Sequence, residues 1–430
     1  MYSKTKIILG KTLSFKQNPM VDGLEGSYSF LDTGAVFIKN GVIEKVIDTQ
    51  GLNLPAGAEI IDRKENLILA GFVDTHLHFP QTAIINSWGR RLIDWLNEYT
   101  FPEEGKFHDI GYALEIASRY FDICLSHGVT TSVSYGTIHP ESVDAFFTEA
   151  KARGLRALTG KTCMDRNAPS YLRDSAQASY DQSKTLIEKW HGVNRLGYVI
   201  TPRFSPTSTP EQLNALGALW KEYPDCLMQT HIGEQPEEVN WVKELFPTSK
   251  DYLDTYEESG LLGPRSVFGH GIYLTDREKS RIKEVNASII HCPTSNTFIG
   301  SGLFDMKGLA RAGQKIGLAT DIGGGPFLSM FDVMESFVNQ NKGNSNATYI
   351  KSLFRSTLAG AQILQIDDIT GNLEPGKWAN FICINKPKQE FNNTEDLLSS
   401  LINNNTSREE YLNLIESTYY QGIKVFSSKR

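Results

Sequence analysis

Residues 71–81 read GFVDTHLHFPQ. An apolar run closes on two histidines one residue apart, His76 and His78, and Gln81 follows three residues later. On an extended strand residues i and i+2 share a face, so the two imidazoles converge. The same texture recurs downstream in GVTTSVSYGTIH (128–139), RALTGKTCMD (156–165), LGYVITPRFSP (196–206), CLMQTHIGEQ (226–235), RSVFGHGIYL (265–274), ASIIHCPTSN (287–296) and KIGLATDIGGG (315–325). The segments between these runs read as helices; STPEQLNALGALWKEY (208–223) opens with a Ser/Thr cap and a proline before its apolar stripe. Eight strand–helix units over about 300 residues predict an α/β protein, a (β/α)8 TIM-like barrel.

Outside this region the pattern is that of strands. TKIILGKTLSF (5–15), AVFIKNGVIEKVID (35–48) with a hairpin turn at Asn40-Gly41, and AEIIDRKENLILA (58–70) precede the barrel, and strand texture returns around LEPGKWANFICIN (373–385). The expected organisation is a small composite β-sandwich domain from residues 1–68 and 371–430, with the barrel, 69–370, inserted between them. The Asn-rich stretch near residues 392–411 reads as a surface loop or short helix without chemistry.

Composition narrows the function. The chain has 430 residues, 40% apolar and 22% charged, with a net charge of −7. An acidic average surface disfavours nucleic acid and favours a small neutral or cationic ligand. No apolar stretch is long enough to span a membrane, and the start lacks the features of a signal peptide. The five cysteines are scattered, with no C-x-x-C pair. This points away from disulfides and thiolate zinc knuckles and toward a reducing, cytoplasmic setting.

In a barrel, catalytic groups project from the C-terminal strand ends. The runs here end in His76, His78 and Gln81, in Arg203, in His231 and Glu234, in His270, and in Asp321. A lone H-x-H is most simply two hydrogen-bonded core histidines. With His231 and Asp321 at matching strand ends, the four form an N3O set that suits one zinc ion and also ferrous iron. Glu234 reads either as a helix-start acid favoured by the macrodipole or as a proton shuttle beside the metal; its neighbours favour the shuttle. Gln81 and Arg203 are poor zinc ligands but suit the amide edge of a heterocycle. Phe204 and Trp88 are candidate stacking rings, although an isolated aromatic is more often packing. The glycines after Asp321 have no Lys-Ser/Thr behind them, which excludes a P-loop. His108, His127, His139 and His191 have no motif partner, and His291 reads as structural or pocket-shaping.

These residues resemble the amidohydrolase superfamily of metal-dependent hydrolases, and within it the branch that deaminates guanine. GFVDTHLHFPQ, IDWLNEYTFPEE (93–104), ITPRFSPTSTPEQL (200–213), SIIHCPTSNTFIGSGLF (288–304) and IGLATDIGGG (316–325) carry the likeness. HFPQ together with TPRFSPT is the specific part. The resemblance implies one zinc per chain on His76, His78, His231 and Asp321, with Gln81, Arg203 and Phe204 holding a purine. It further implies hydrolysis of guanine to xanthine and ammonia, with Glu234 and Asp321 as the acid–base groups, His270 as a catalytic group that hydrogen-bonds the water or the developing oxyanion, and a homodimer. Related alternatives are deamination of 8-oxoguanine, an adenosine-like nucleoside or a triazine; a non-catalytic barrel used in assembly predicts lost ligands, and all four are present. The unrelated zinc deaminases need a P-C-x-x-C pair, which this chain lacks.

Overall fold

Each of the eight apolar runs forms a strand in the computed structural model, which describes residues 5–87, 92–385, 390–403 and 408–428. In chain order they are β1 (Phe72–His78), β2 (Val129–Tyr135), β3 (Ala157–Gly160), β4 (Leu196–Pro202), β5 (Leu227–Ile232), β6 (Ser266–His270), β7 (Ser288–His291) and β8 (Lys315–Leu318). They lie side by side in that order, and the short strand Thr162–Cys163 adds to β4. The registered pairs from β2 to β8 are parallel.

The chain just beyond β8 ties the last strand back to the first. Asp321 N–H donates to the His76 carbonyl at 3.0 Å, and His78 N–H donates to the Ile322 carbonyl at 2.6 Å. Below them Thr320 donates to the Asp74 carboxylate from its N–H (3.2 Å) and its hydroxyl (2.5 Å). Asp74 is fully buried, and burial pushes its carboxyl up to about 7 against the pull of the Thr320 hydrogen bonds. The barrel therefore closes at the level of the metal-type residues, which fixes β1 and Asp321 against each other.

Helices connect the strands as their caps predict. Thr209 accepts from Gln212 N–H and Pro210 starts the helix Pro210–Glu222, whose Leu213, Leu216, Leu219 and Trp220 are buried.

The chain divides into two compact units. One comprises Asp74–Phe121 and Ser132–Leu328; the other Met1–Val73, Asp122–Thr131 and Ser329–Arg430. The second unit contains an eight-stranded sheet whose strands include Lys6–Phe15, Glu59–Ala70, Phe381–Asn385 and Ile415–Tyr420. The Asn40-Gly41 turn joins Gly34–Lys39 to Val42–Asp48, both turn residues having positive φ (53° and 79°), as a primed hairpin turn requires. Ile8, Val36, Ile38, Phe381 and Tyr419 pack in its core. The Asn-rich stretch contains the helix Thr394–Asn403, which buries Leu397, Leu398, Leu401 and Ile402, so it contributes packing. Among the described residues no helix is long and apolar enough to cross a membrane.

Candidate active site

Beyond β1 the chain makes a short 3-10 turn, Phe79–Ile84, with Pro80 in its first turn. Phe79 anchors it: the ring is fully buried, edge-on to Phe107 at 5.6 Å and tilted on Phe146 at 5.0 Å. Burying such a ring is worth roughly 1.5–3 kcal/mol. That anchor holds Gln81, itself fully buried, beside the histidines of β1.

At the C-terminal ends of β1, β5, β6 and β8, four imidazoles and a carboxylate converge. His78 Nε2 lies 3.2 Å from His231 Nε2. Asp321 Oδ1 is 3.4 Å from His76 Nε2 and 3.6 Å from His78 Nε2. Candidate ligand atoms of His76, His231, His270 and Asp321 all lie within 4.8 Å of one another. The structure thus brings together every metal-type residue read from the sequence, and sets His270 at the same centre.

The donor chemistry fits a divalent cation. Burial pushes the imidazoles of His76, His78 and His231 down, the last two far down, so they are neutral and carry free lone pairs. His231 Nδ1 faces the Arg203 carbonyl at 2.7 Å, which fixes the proton there and turns Nε2 inward. His76 is wholly buried, and neither of its ring nitrogens has a hydrogen-bond partner. A buried polar atom left so is costly unless something bonds it, and a metal ion does. Burial works to raise the Asp321 carboxyl, but His76, 3.4 Å away, and the surrounding imidazoles hold it down to about 2, so the cluster contains an anion.

His76 also needs an open neighbour. A Cβ on Gly269 of β6 would sit 2.4 Å from His76 Cε1. Gly269→Ala is therefore expected to displace the ring and lower the metal content of the purified protein, as elemental analysis would show; unchanged content would mean the ring has room that this contact denies.

The proton-handling groups sit on one side of this cluster. Asp321 Oδ1 faces His76 and His78, whereas Oδ2 accepts from the Ser295 hydroxyl at 2.7 Å and lies 3.8 Å from His270 Nε2. Glu234 Oε2 is 3.5 Å from His270 Nε2, and its Oε1 accepts from the Ser301 hydroxyl at 2.8 Å. Burial, with the Asp321 charge added, pushes the Glu234 carboxyl up. His270 Nδ1 faces Asn296 Oδ1 at 3.0 Å, which leaves Nε2 to the two carboxylates. Burial works to lower this imidazole, but the charges of Glu234 and Asp321 outweigh it and the net shift is upward. His270 and Asp321 both have left-handed backbones (φ 67° and 49°), a strained state for such residues and one that clusters at functional sites.

Glu234 is not the acid that caps the following helix. Glu238 does that: its Oε2 accepts from the N–H groups of Glu234 (2.7 Å) and Gln235 (3.0 Å), in a capping box at the start of Pro236–Leu245. The Glu234 side chain is released from the helix end and lines the cavity.

That cavity is also lined by Gln81, Trp95, Leu96, Arg203, Phe204 and Ile299. Arg203 is buried, and one N–H group donates to Glu104 Oε2 at 2.7 Å. Gln81 Nε2 donates to Glu104 Oε1 at 2.8 Å, and its Oε1 accepts from Gly323 N–H at 3.3 Å. Glu104 thus bridges the two groups assigned to heterocycle recognition. The sequence reading missed Glu104 and also missed Trp95, Ser295, Asn296 and Ser301. The one legible signal for Glu104 was a second acid in the apolar YTFPEEGKF. Trp88 lies outside the described residues; Trp95 is an indole on the cavity wall. Phe204 lines the wall and is edge-on to His231 at 6.4 Å. His291 stacks on Phe304 at 4.2 Å, with its Nδ1 3.4 Å from Asn296 Nδ2 behind His270.

The barrel with this strand-end cluster defines a class. The chain belongs to the amidohydrolase family, whose model matches residues 67–412. A guanine deaminase of Escherichia coli (strain K12) is 42% identical over 357 residues, 82% of this chain and 81% of the relative. The solved E. coli guanine deaminase structure superposes with a TM-score of 0.90 at 36% identity, over 99% of this chain and all of that one. A guanine deaminase from C. acetobutylicum, solved with guanine in its active site, gives 0.87 at 27% identity, over 98% of this chain and 100% of that one.

Proposed function

We propose that this chain is a metal-dependent hydrolase that converts guanine and water to xanthine and ammonia. The observation that carries the reading is one cavity lined both by residues of the buried His/carboxylate cluster and by Arg203 and Gln81, which Glu104 bridges. His76, His78, His231 and Asp321 would hold one zinc ion per chain. When bound, the ion supplies a water acidic enough to act as a nucleophile near neutral pH.

The chain's own residues do the rest. Arg203 and Gln81 hold the base with its C2 toward the metal side. Glu234, whose carboxyl burial pushes toward the protonated form, gives a proton to ring N3 as water adds to C2. Asp321 Oδ2 takes a proton from that water and helps return one to the departing amine, because ammonia leaves poorly unless protonated. His270 Nε2, fixed by Asn296 and lying between Glu234 and Asp321, hydrogen-bonds the attacking oxygen. Phe204 and Trp95 supply apolar walls. The five cysteines, all buried and none in a disulfide, support a cytoplasmic setting, and a homodimer is the assembly the resemblance implies.

Base selection follows from donor placement. Guanine offers a C6 carbonyl to the Arg203 fork, whereas adenine offers an amine there and leaves buried donors unpaired at ~1–3 kcal/mol each. Steady-state rates on a panel should show strong preference for guanine over adenine, with guanosine poor. Arg203→Ala and Gln81→Ala should keep the metal yet lower kcat/KM for guanine. A parent that prefers adenine or a nucleoside, or variants as fast as the parent, would overturn the guanine assignment.

A further inference from the structure

The Arg203 guanidinium faces the cavity from a buried position, and such a charge would ordinarily attract an anion. Here it is cancelled. Glu104 is fully buried, takes the Arg203 N–H at 2.7 Å through one oxygen, and takes the Gln81 amide at 2.8 Å through the other. Below the guanidinium lies the Phe101 ring, 5.6 Å from its carbon, which brings no charge. The other titratable groups acting on Arg203 or sharing its cavity are His78, His231, His270, Glu234, Asp321 and Tyr135. Among the described contacts Glu104 is the one carboxylate paired with it.

The proposed reaction changes the acidity of the ligand. Exchange of the C2 amine for a carbonyl converts guanine to xanthine, whose added imide ionises more readily, so the product becomes an anion at a pH where the substrate is still neutral. We propose that Glu104 is a positioning residue that also keeps the base-binding end electrically neutral, so that the site selects the neutral purine and does not retain the xanthine anion. This rests on the guanine reading. A neutral Arg–Glu pair orients the base as a fixed donor array without the long-range pull of an isolated buried cation.

The test is product inhibition by xanthine, measured with the metal-loaded protein between about pH 6 and about pH 9, a range over which xanthine gains its charge. In the parent, inhibition should stay level with pH. In Glu104→Gln, which preserves shape and removes the counter-charge of Arg203, the xanthine inhibition constant should fall at least about tenfold across that range. In Arg203→Gln, which leaves the carboxylate unpaired, inhibition should weaken with pH, and Glu104→Gln/Arg203→Gln should restore the parental flat profile. If Glu104→Gln does not fold, the opposite slopes of Arg203→Gln and the double variant carry the same comparison. A purely structural Glu104 would alter kcat or KM without moving this pH slope. Parental slopes in the single variants would overturn the role of Glu104 while leaving guanine deamination intact; failure of the parent to release xanthine from guanine would instead remove the reading beneath it.

Discussion

Glu234→Gln is expected to lower kcat for guanine by at least ~10²-fold, the low end of a general acid–base contribution, while the protein keeps its metal and its fold. The geometry gives the reason. Glu234 is buried, is held by Ser301 at 2.8 Å, faces His270 at 3.5 Å, and is relieved of helix capping by Glu238. The amide is isosteric and still accepts the Ser301 hydrogen bond, so the loss would be that of a movable proton. Metal content by elemental analysis and thermal melting separate the outcomes. Loss of metal would make Glu234 a ligand, and near-parental kcat would leave it without a part in the chemistry.

His76→Ala and Asp321→Ala should abolish metal retention and activity together. His76 is an imidazole whose two nitrogens make no hydrogen bond within the protein, and Asp321 is the anion that His76, His78 and His270 surround. Removing either also opens the closure of β8 onto β1 from the side-chain level, although the Asp321 N–H to His76 carbonyl bond remains. The expected result is under a tenth of the parental metal per chain in the purified variant and no detectable turnover, roughly the loss that accompanies a broken first coordination sphere. An Asp321→Ala protein that retains one metal per chain would shift the ligand set to the imidazoles, His270 included.

Much of this was legible because period and position coincide in a barrel. Each apolar run became a strand, and each catalytic-type residue at its end arrived at one rim, since parallel strands put their C-terminal ends together. The H-x-H pair needed only the two-residue repeat of a strand. What stayed hidden depends on the third dimension. Glu104 comes from the helical excursion between β1 and β2 and reads in sequence as an ordinary helix acid; only folding sets it between Gln81 and Arg203. Ser295, Asn296 and Ser301 follow β7 in a run of small polar residues, a composition that also describes any loop. Trp95 lines the cavity, and by residue type alone nothing in the sequence distinguished it from the other five tryptophans. The left-handed backbones of His270 and Asp321 belong to residue types that adopt that state more often than most, but nothing in the sequence marks which His or Asp does so.

The most direct test is the ultraviolet spectrum of guanine incubated with the purified, metal-loaded protein, followed together with an ammonia assay. The account predicts complete conversion to the xanthine spectrum with one ammonia released per guanine, stopped by chelation and restored by zinc. An unchanged guanine spectrum with a loaded metal site, or loss of guanine without equimolar ammonia, would contradict it.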